Sequence, residues 1–139
     1  MEKPPFSWHF LESRIQRARS YLAEGDRVGS CALAGAVLET SLRQIVELAN
    51  VRPLTTPPCP RCGHQADGLT ALGPMIEALA NRRIITARVR ALLHKCRNVR
   101  NVASHGHFGG LTLAECNMLL TGATVVVAWG KKNASSLAP

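Results

Sequence analysis

From Ser7 to Glu24 the apolar residues Trp8, Leu11, Ile15, Ala18 and Leu22 recur at steps of three and four, with Arg14, Arg17 and Arg19 off that stripe. This spacing predicts an amphipathic helix. Gly25 and Asp26 interrupt it, and a second helix is predicted from Arg27 to about Asn50. Its first half, CALAGAVL, is apolar on every side and so belongs at the centre of the fold. Its second half regains a polar face on which Glu39, Arg43 and Glu47 stand four apart, so either acid can pair with Arg43. Residues 51–69, VRPLTTPPCPRCGHQADGL, break the pattern with Pro and Gly and predict one long non-helical connection.

Thr70 can cap a short helix of Ala71 to Asn81, with Pro74 in its first turn where a missing N–H costs nothing. Thr86 can cap another, in which Val89, Leu92, Leu93, Cys96, Val99 and Ala103 form the apolar stripe before Gly106 ends it. In that helix His94 reads as a surface histidine. After the glycine-rich GHFGG, Thr112 and Glu115 form a T-x-x-E capping box for a last helix running to about Trp129. Within it TVVVAW has the composition of a strand, but a lone strand has nothing to pair with, so it is expected to be the buried end of that helix. Residues 130–139 are expected to be a flexible tail. Five helical segments without strands predict an all-α bundle, one domain over residues 1–139.

A length of 139 residues with 46% hydrophobic residues supports one packed core. Aromatic residues make up only 4%, too few to build both a core and a base-stacking platform. The charge balance of +8 is more informative. Between Glu77 and Glu115 there is no acid, whereas Arg82, Arg83, Arg88, Arg90, Lys95, Arg97 and Arg100 all fall there. Arginine suits bidentate phosphate contact, so this segment is expected to face a polyanion such as RNA; the competing reading is a plain solvated basic face. The N-terminal stretch is charged throughout, without the apolar core of a signal peptide, and the apolar run LLTGATVVVAW is too short to span a bilayer. The expectation is a cytoplasmic chain without membrane contact.

Five cysteines are an odd number, and Cys31, Cys96 and Cys116 lie in apolar helical patterns, which argues against a disulfide framework. In CPRCGH, Cys59 and Cys62 sit on a turn that aims both thiolates at one metal, with His64 close by. This is half of a structural zinc knuckle. The missing ligands would come from Cys31, Cys96 or the same loop of a second copy; a plain reduced loop and a redox C-x-x-C are the other readings.

The stretch KCRNVRNVASHGHF, residues 95–108, crowds Arg97, Arg100, His105 and His107 at the end of one helix. Asn101 lies four residues from both Arg97 and His105, hence beside each on the helix surface. A histidine at a helix C-terminus meets the negative end of the dipole, which favours imidazolium, so His105 can both give and take a proton near neutrality. An adjacent Arg can hold a phosphate as it gains charge. Together they suit cleavage of RNA by its own 2′-hydroxyl, a reaction that needs no metal; the plainer reading is exposed charges and a capping histidine.

RNVASH, with Arg100 and Asn101 followed by His105, resembles the R-x4-H signature of the HEPN superfamily. AGAVLETSLRQIVE, residues 34–47, is similar to the long second helix of those domains, and the order of segments agrees over roughly residues 7–129. The resemblance implies a helical bundle that dimerises, bringing two motifs into one basic cleft. It commonly implies a metal-independent endoribonuclease acting as a toxin or defence effector, with an antitoxin or other protein partner. It carries Arg100 and His105 over as active residues, Asn101 as their polar helper and Glu39 as a group that orients Arg100. Toxins of the family silenced by nucleotidylation have Tyr two residues after the His; here His107 stands there, which puts that control in doubt. Other members bind RNA, nucleotide or a protein without cutting, and that is the alternative function.

Overall fold

The computed structural model describes residues 6–51, 60–62, 72–104 and 110–137. Among these all regular structure is helical: α1 (Trp8–Ala23), α2 (Arg27–Leu48), α3 (Leu72–Asn81), α4 (Ala87–Ser104) and α5 (Leu113–Leu137). The connection predicted at 51–69, the Thr70 cap and the segment around GHFGG lie almost wholly outside the described residues.

Local chemistry sets the helix starts. The Phe10 N–H donates to Ser7 Oγ at 3.0 Å, Gly29 N–H to Asp26 Oδ1 at 2.8 Å and Val89 N–H to Thr86 Oγ1 at 3.2 Å. The capping box closes in both directions, Glu115 N–H to Thr112 Oγ1 and Thr112 N–H to Glu115 Oε1, each 3.1 Å. Each such bond satisfies a backbone donor that the helix itself cannot. Two ends are built differently. After α2 and α3 the chain reverses through Asn50 and Arg83 at φ of +52° and +57°, so that Val51 N–H reaches Val46 O and Ile84 N–H reaches Leu79 O. These are Schellman closures, which favour glycine because a Cβ crowds the left-handed conformation. Asn tolerates that region; Arg83, exposed, gains nothing there. Arg83→Gly is therefore expected to stabilise the fold by about 0.5 kcal/mol, since the relieved strain outweighs the added freedom of the unfolded chain. The check is a rise of roughly 2 °C in the thermal midpoint.

Helix α2 packs against each of the other four. Its apolar first half buries Cys31, Ala34, Val37 and Leu38, and the inward face of its second half buries Leu42, Ile45 and Val46. Around it, α1 contributes Leu11, Ile15 and Ala18, α3 Met75, Ile76 and Leu79, α4 Leu93, Cys96 and Val99, and α5 Leu119, Leu120, Ala123, Val126 and Val127. TVVVAW is helical as expected, since Val126 and Val127 are worth more buried in the bundle than their mild helix aversion costs.

The expected tail is a correction. Helix α5 does not stop near Trp129 but continues to Leu137, so residues 130–137 are ordered helix. Gly130 lets the Trp8 indole of α1 lie directly on the α5 backbone, where any Cβ would collide with the ring. Lys131 Nζ then reaches Glu12 Oε1 at 2.9 Å, and Leu137 packs against the core. These contacts hold turns that composition alone leaves frayed. Helix α5, 25 residues long, contains an 18-residue window of mean hydropathy 1.3 and so is long and apolar enough to cross a membrane by length and composition; 44% of that window is buried inside the fold.

Candidate functional site

The last turns of α4 carry three of the predicted functional residues. Arg100 turns toward α2, and its aliphatic stem lies across Gly35, where an added Cβ would come within 2.7 Å of Arg100 Cγ. The glycine thus opens a channel that guides the guanidinium to the next turn of α2. There Arg100 Nη2 donates to Glu39 Oε2 at 2.5 Å, while the other carboxylate oxygen accepts from Arg43 Nη2 at 3.1 Å. Glu39 is 21% exposed and Arg100 33%, so the pair is partly withdrawn from water and its geometry is fixed at both ends.

Arg97, one turn earlier, is held differently. Its guanidinium rests on Gly73 at the start of α3, in the space a side chain would fill. Its Nε is buried and has no hydrogen-bond partner among the described residues. Burying a charged donor without an acceptor is costly, and because this Nε is closed to solvent an incoming oxyanion would have to meet the rest of the half-buried guanidinium. Asn101 is half-buried beside it. His105 and His107 lie outside the described residues, as do Cys59 and His64.

The other basic residues do not form one track with these. Arg82 and Arg83 are exposed in the turn after α3, about 20 Å of helix rise from Arg100. Arg88 and Lys95 are exposed on the far side of α4: at 100° per residue Lys95 stands about 160° from Arg97 and about 140° from Arg100. Arg90 is already paired, its Nε and Nη2 donating to Glu77 at 2.6–3.1 Å. The basic residues between Arg82 and Arg100 therefore lie on separate patches.

Glu77 also meets His94, whose Nε2 lies 2.7 Å from Oε1. His94 is thus a half-buried partner in an α3–α4 link rather than a free surface histidine. Arg90 and His94 hold the Glu77 carboxyl below the usual carboxylate range. A carboxyl with a depressed folded pKa stabilises the fold fully above its ordinary pKa, and that contribution is lost as pH falls through the depressed value. Glu77→Gln is therefore expected to lower the thermal midpoint slightly at pH 7 and to match the unsubstituted chain once the pH is below the carboxylate range, read by melts across pH 7 to 2.5.

Of the proposed zinc ligands, Cys62 is exposed. Cys31 and Cys96 are not available to it. Cys31 Sγ lies 3.2 Å from Cys116 Sγ across the α2–α5 contact, and Cys96 Sγ fits against Gly122 of α5. Burial pushes the Cys31 thiol up to about 12 and the Cys96 thiol up to about 11, so both are protonated packing groups at neutral pH. Among the described residues no group of three or more His, Cys, Asp or Glu could hold a metal.

Sequence reasoning missed the Glu77 cluster, the seat of Arg97 on Gly73 and the Cys31–Cys116 contact. Only the four-residue spacing of Arg90 and His94 hinted at a shared partner. Searched against protein-family models, curated proteins and solved structures, the chain matches none.

Proposed function

We propose that this chain is a HEPN-like bundle and a metal-independent endoribonuclease, cleaving RNA by attack of the 2′-hydroxyl and serving as a cytoplasmic toxin or defence effector. The observation that carries the reading is the pair of guanidiniums at the end of α4: Arg100 steered by Gly35 and Glu39, and Arg97 with a buried Nε and no acceptor among the described residues. They lie within eight residues before His105 in the chain. In this reading the arginines bind the scissile phosphate and offset the charge it gains, and His105 moves the proton between the 2′ and 5′ oxygens. Asn101 assists beside them, and His107 lies within reach in sequence. A second copy would set two such ends in one cleft as a C2 dimer. Zinc on Cys59, Cys62 and His64 would be structural, serving the connection and not the reaction.

One observation favours a second reading. Both guanidiniums can hold a phosphate without His105, as in a module that binds RNA, nucleotide or a protein without cutting it. Incubation with a mixed RNA pool in the presence of a chelator separates the two. Products ending in 2′,3′-cyclic phosphate, and resistance of a substrate carrying a single 2′-deoxy nucleotide at the cut site, are the expected results. Equal cleavage of the deoxy substrate rules out attack by the 2′-hydroxyl, and retention of RNA without products replaces the nuclease with the binding module.

A further inference from the structure

Arg88 and Lys95, turned away from the α4 end that carries Arg97 and Arg100, border a shallow groove of about 480 Å³ between α4 and α5. Its floor is apolar: Val89, Leu92, Met118 and Val125, the last 37% exposed, with no helix laid over them among the described residues. At Val89 and Val125 the groove adjoins a smaller cavity of about 110 Å³, walled by aliphatic side chains of α2, α5 and the turn between α3 and α4, with Leu79 of α3 and Trp129. That cavity is deep enough to receive one large apolar side chain. An apolar trench with an anchor hole and a charged border is the form that receives the apolar stripe of a helix.

The border decides the occupant. Glu115 is the one acidic residue after Glu77, and its carboxylate is engaged in the capping box with Thr112. Neither α4 nor the rest of α5 offers an acid, so a second copy presenting this same face across a two-fold axis brings no carboxylate for Arg88 or Lys95. An RNA strand would satisfy the two cations but would leave the apolar floor facing phosphates and riboses. A partner helix with aliphatic residues at i, i+3, i+4 and i+7 and acids on its flanks satisfies both features. We propose that the α4–α5 groove is the docking site for an acidic amphipathic helix of a partner protein, with Arg88 and Lys95 selecting its charge. This assigns those two residues to protein recognition, independently of whether the Arg97–Arg100 end cuts RNA.

The test uses the full chain and three fluorescein-labelled probes. One is an 18-residue peptide with Leu at i, i+3, i+4 and i+7 and Glu elsewhere; the second is a scramble of the same composition without a continuous stripe; the third is a single-stranded RNA of similar length. The patterned peptide is expected to bind about tenfold or more tightly than the scramble. Arg88→Glu combined with Lys95→Glu, both at exposed positions, should weaken it by a further tenfold or more, as should Val125→Glu; circular dichroism checks that each variant folds. If Val125→Glu disturbs the bundle, the double charge reversal alone decides. Equal binding of patterned and scrambled peptides overturns the proposal in favour of bare charge attraction. So does self-association of the unsubstituted chain that Val125→Glu abolishes, which gives the face to a second copy. Loss of RNA binding with intact peptide binding in the charge-reversed variant gives it to RNA.

Discussion

Replacing either His105 or Arg100 by alanine is expected to slow RNA cleavage about a hundredfold or more, the scale on which enzymes lose a general acid–base group or an electrostatic stabiliser. The two variants should differ in what else they change. His105→Ala should leave RNA affinity nearly intact, because a proton carrier contributes little to holding the ground state. Arg100→Ala removes the partner of Glu39, whose other oxygen still accepts from Arg43, so its melting temperature should be measured beside its rate. Arg97→Ala should act mainly on affinity, since this guanidinium has no acceptor among the described residues and its anchoring on Gly73 suits holding more than reacting. Single-turnover rates at saturating enzyme, with separate binding curves, resolve these patterns. Full activity of His105→Ala leaves the α4 end with binding alone.

The parts of this molecule that were legible in its sequence are those governed by neighbours within a few residues. Thr86 and the Thr112–Glu115 box set helix starts by bonds to backbone groups three residues away and are read by inspection; Ser7 and Asp26 make bonds of the same kind. The central place of α2 follows from its all-round apolarity. The contact of Glu39 with Arg100 spans 61 residues and was expected only through the family resemblance. What stayed hidden depends on which helices touch: Glu77 meets Arg90 and His94 from 13 and 17 residues away, and Cys31 meets Cys116 from 85. Periodicity fixes which face of a helix is apolar; it does not name the residue opposite. The same gap explains the tail. Nothing in KKNASSLAP signals a helix; the seat of Trp8 on Gly130, the pairing of Lys131 with Glu12 and the packing of Leu137 on the core hold residues 130–137 in place.

Leu42→Ala is expected to cost about 3–5 kcal/mol, toward the upper end of the range for deleting a buried leucine. Leu42 is fully buried in α2, the helix on which all the others pack. Its side chain also forms part of the wall of the 110 Å³ cavity beside Ile45, Leu79 and Trp129. Truncation therefore does more than open a leucine-sized void: it merges that void with space already present. The neighbours, held by four helices, have little freedom to collapse into it, and cost rises with the cavity volume that remains. Against a total stability of roughly 5–15 kcal/mol for a domain of this kind, the loss is a large share, so the variant should unfold at much lower urea. Leu42→Met, which keeps the volume, should cost less than about 1.5 kcal/mol. Val125→Ala on the outer side of the same cavity should cost less still, because Val125 is already 37% exposed and leaves no closed space behind. Equilibrium urea unfolding of the three variants reads these differences directly. A Leu42→Ala cost near that of Val125→Ala means that the core closes over the void and that the cavity beside Leu42 is not held open by the bundle.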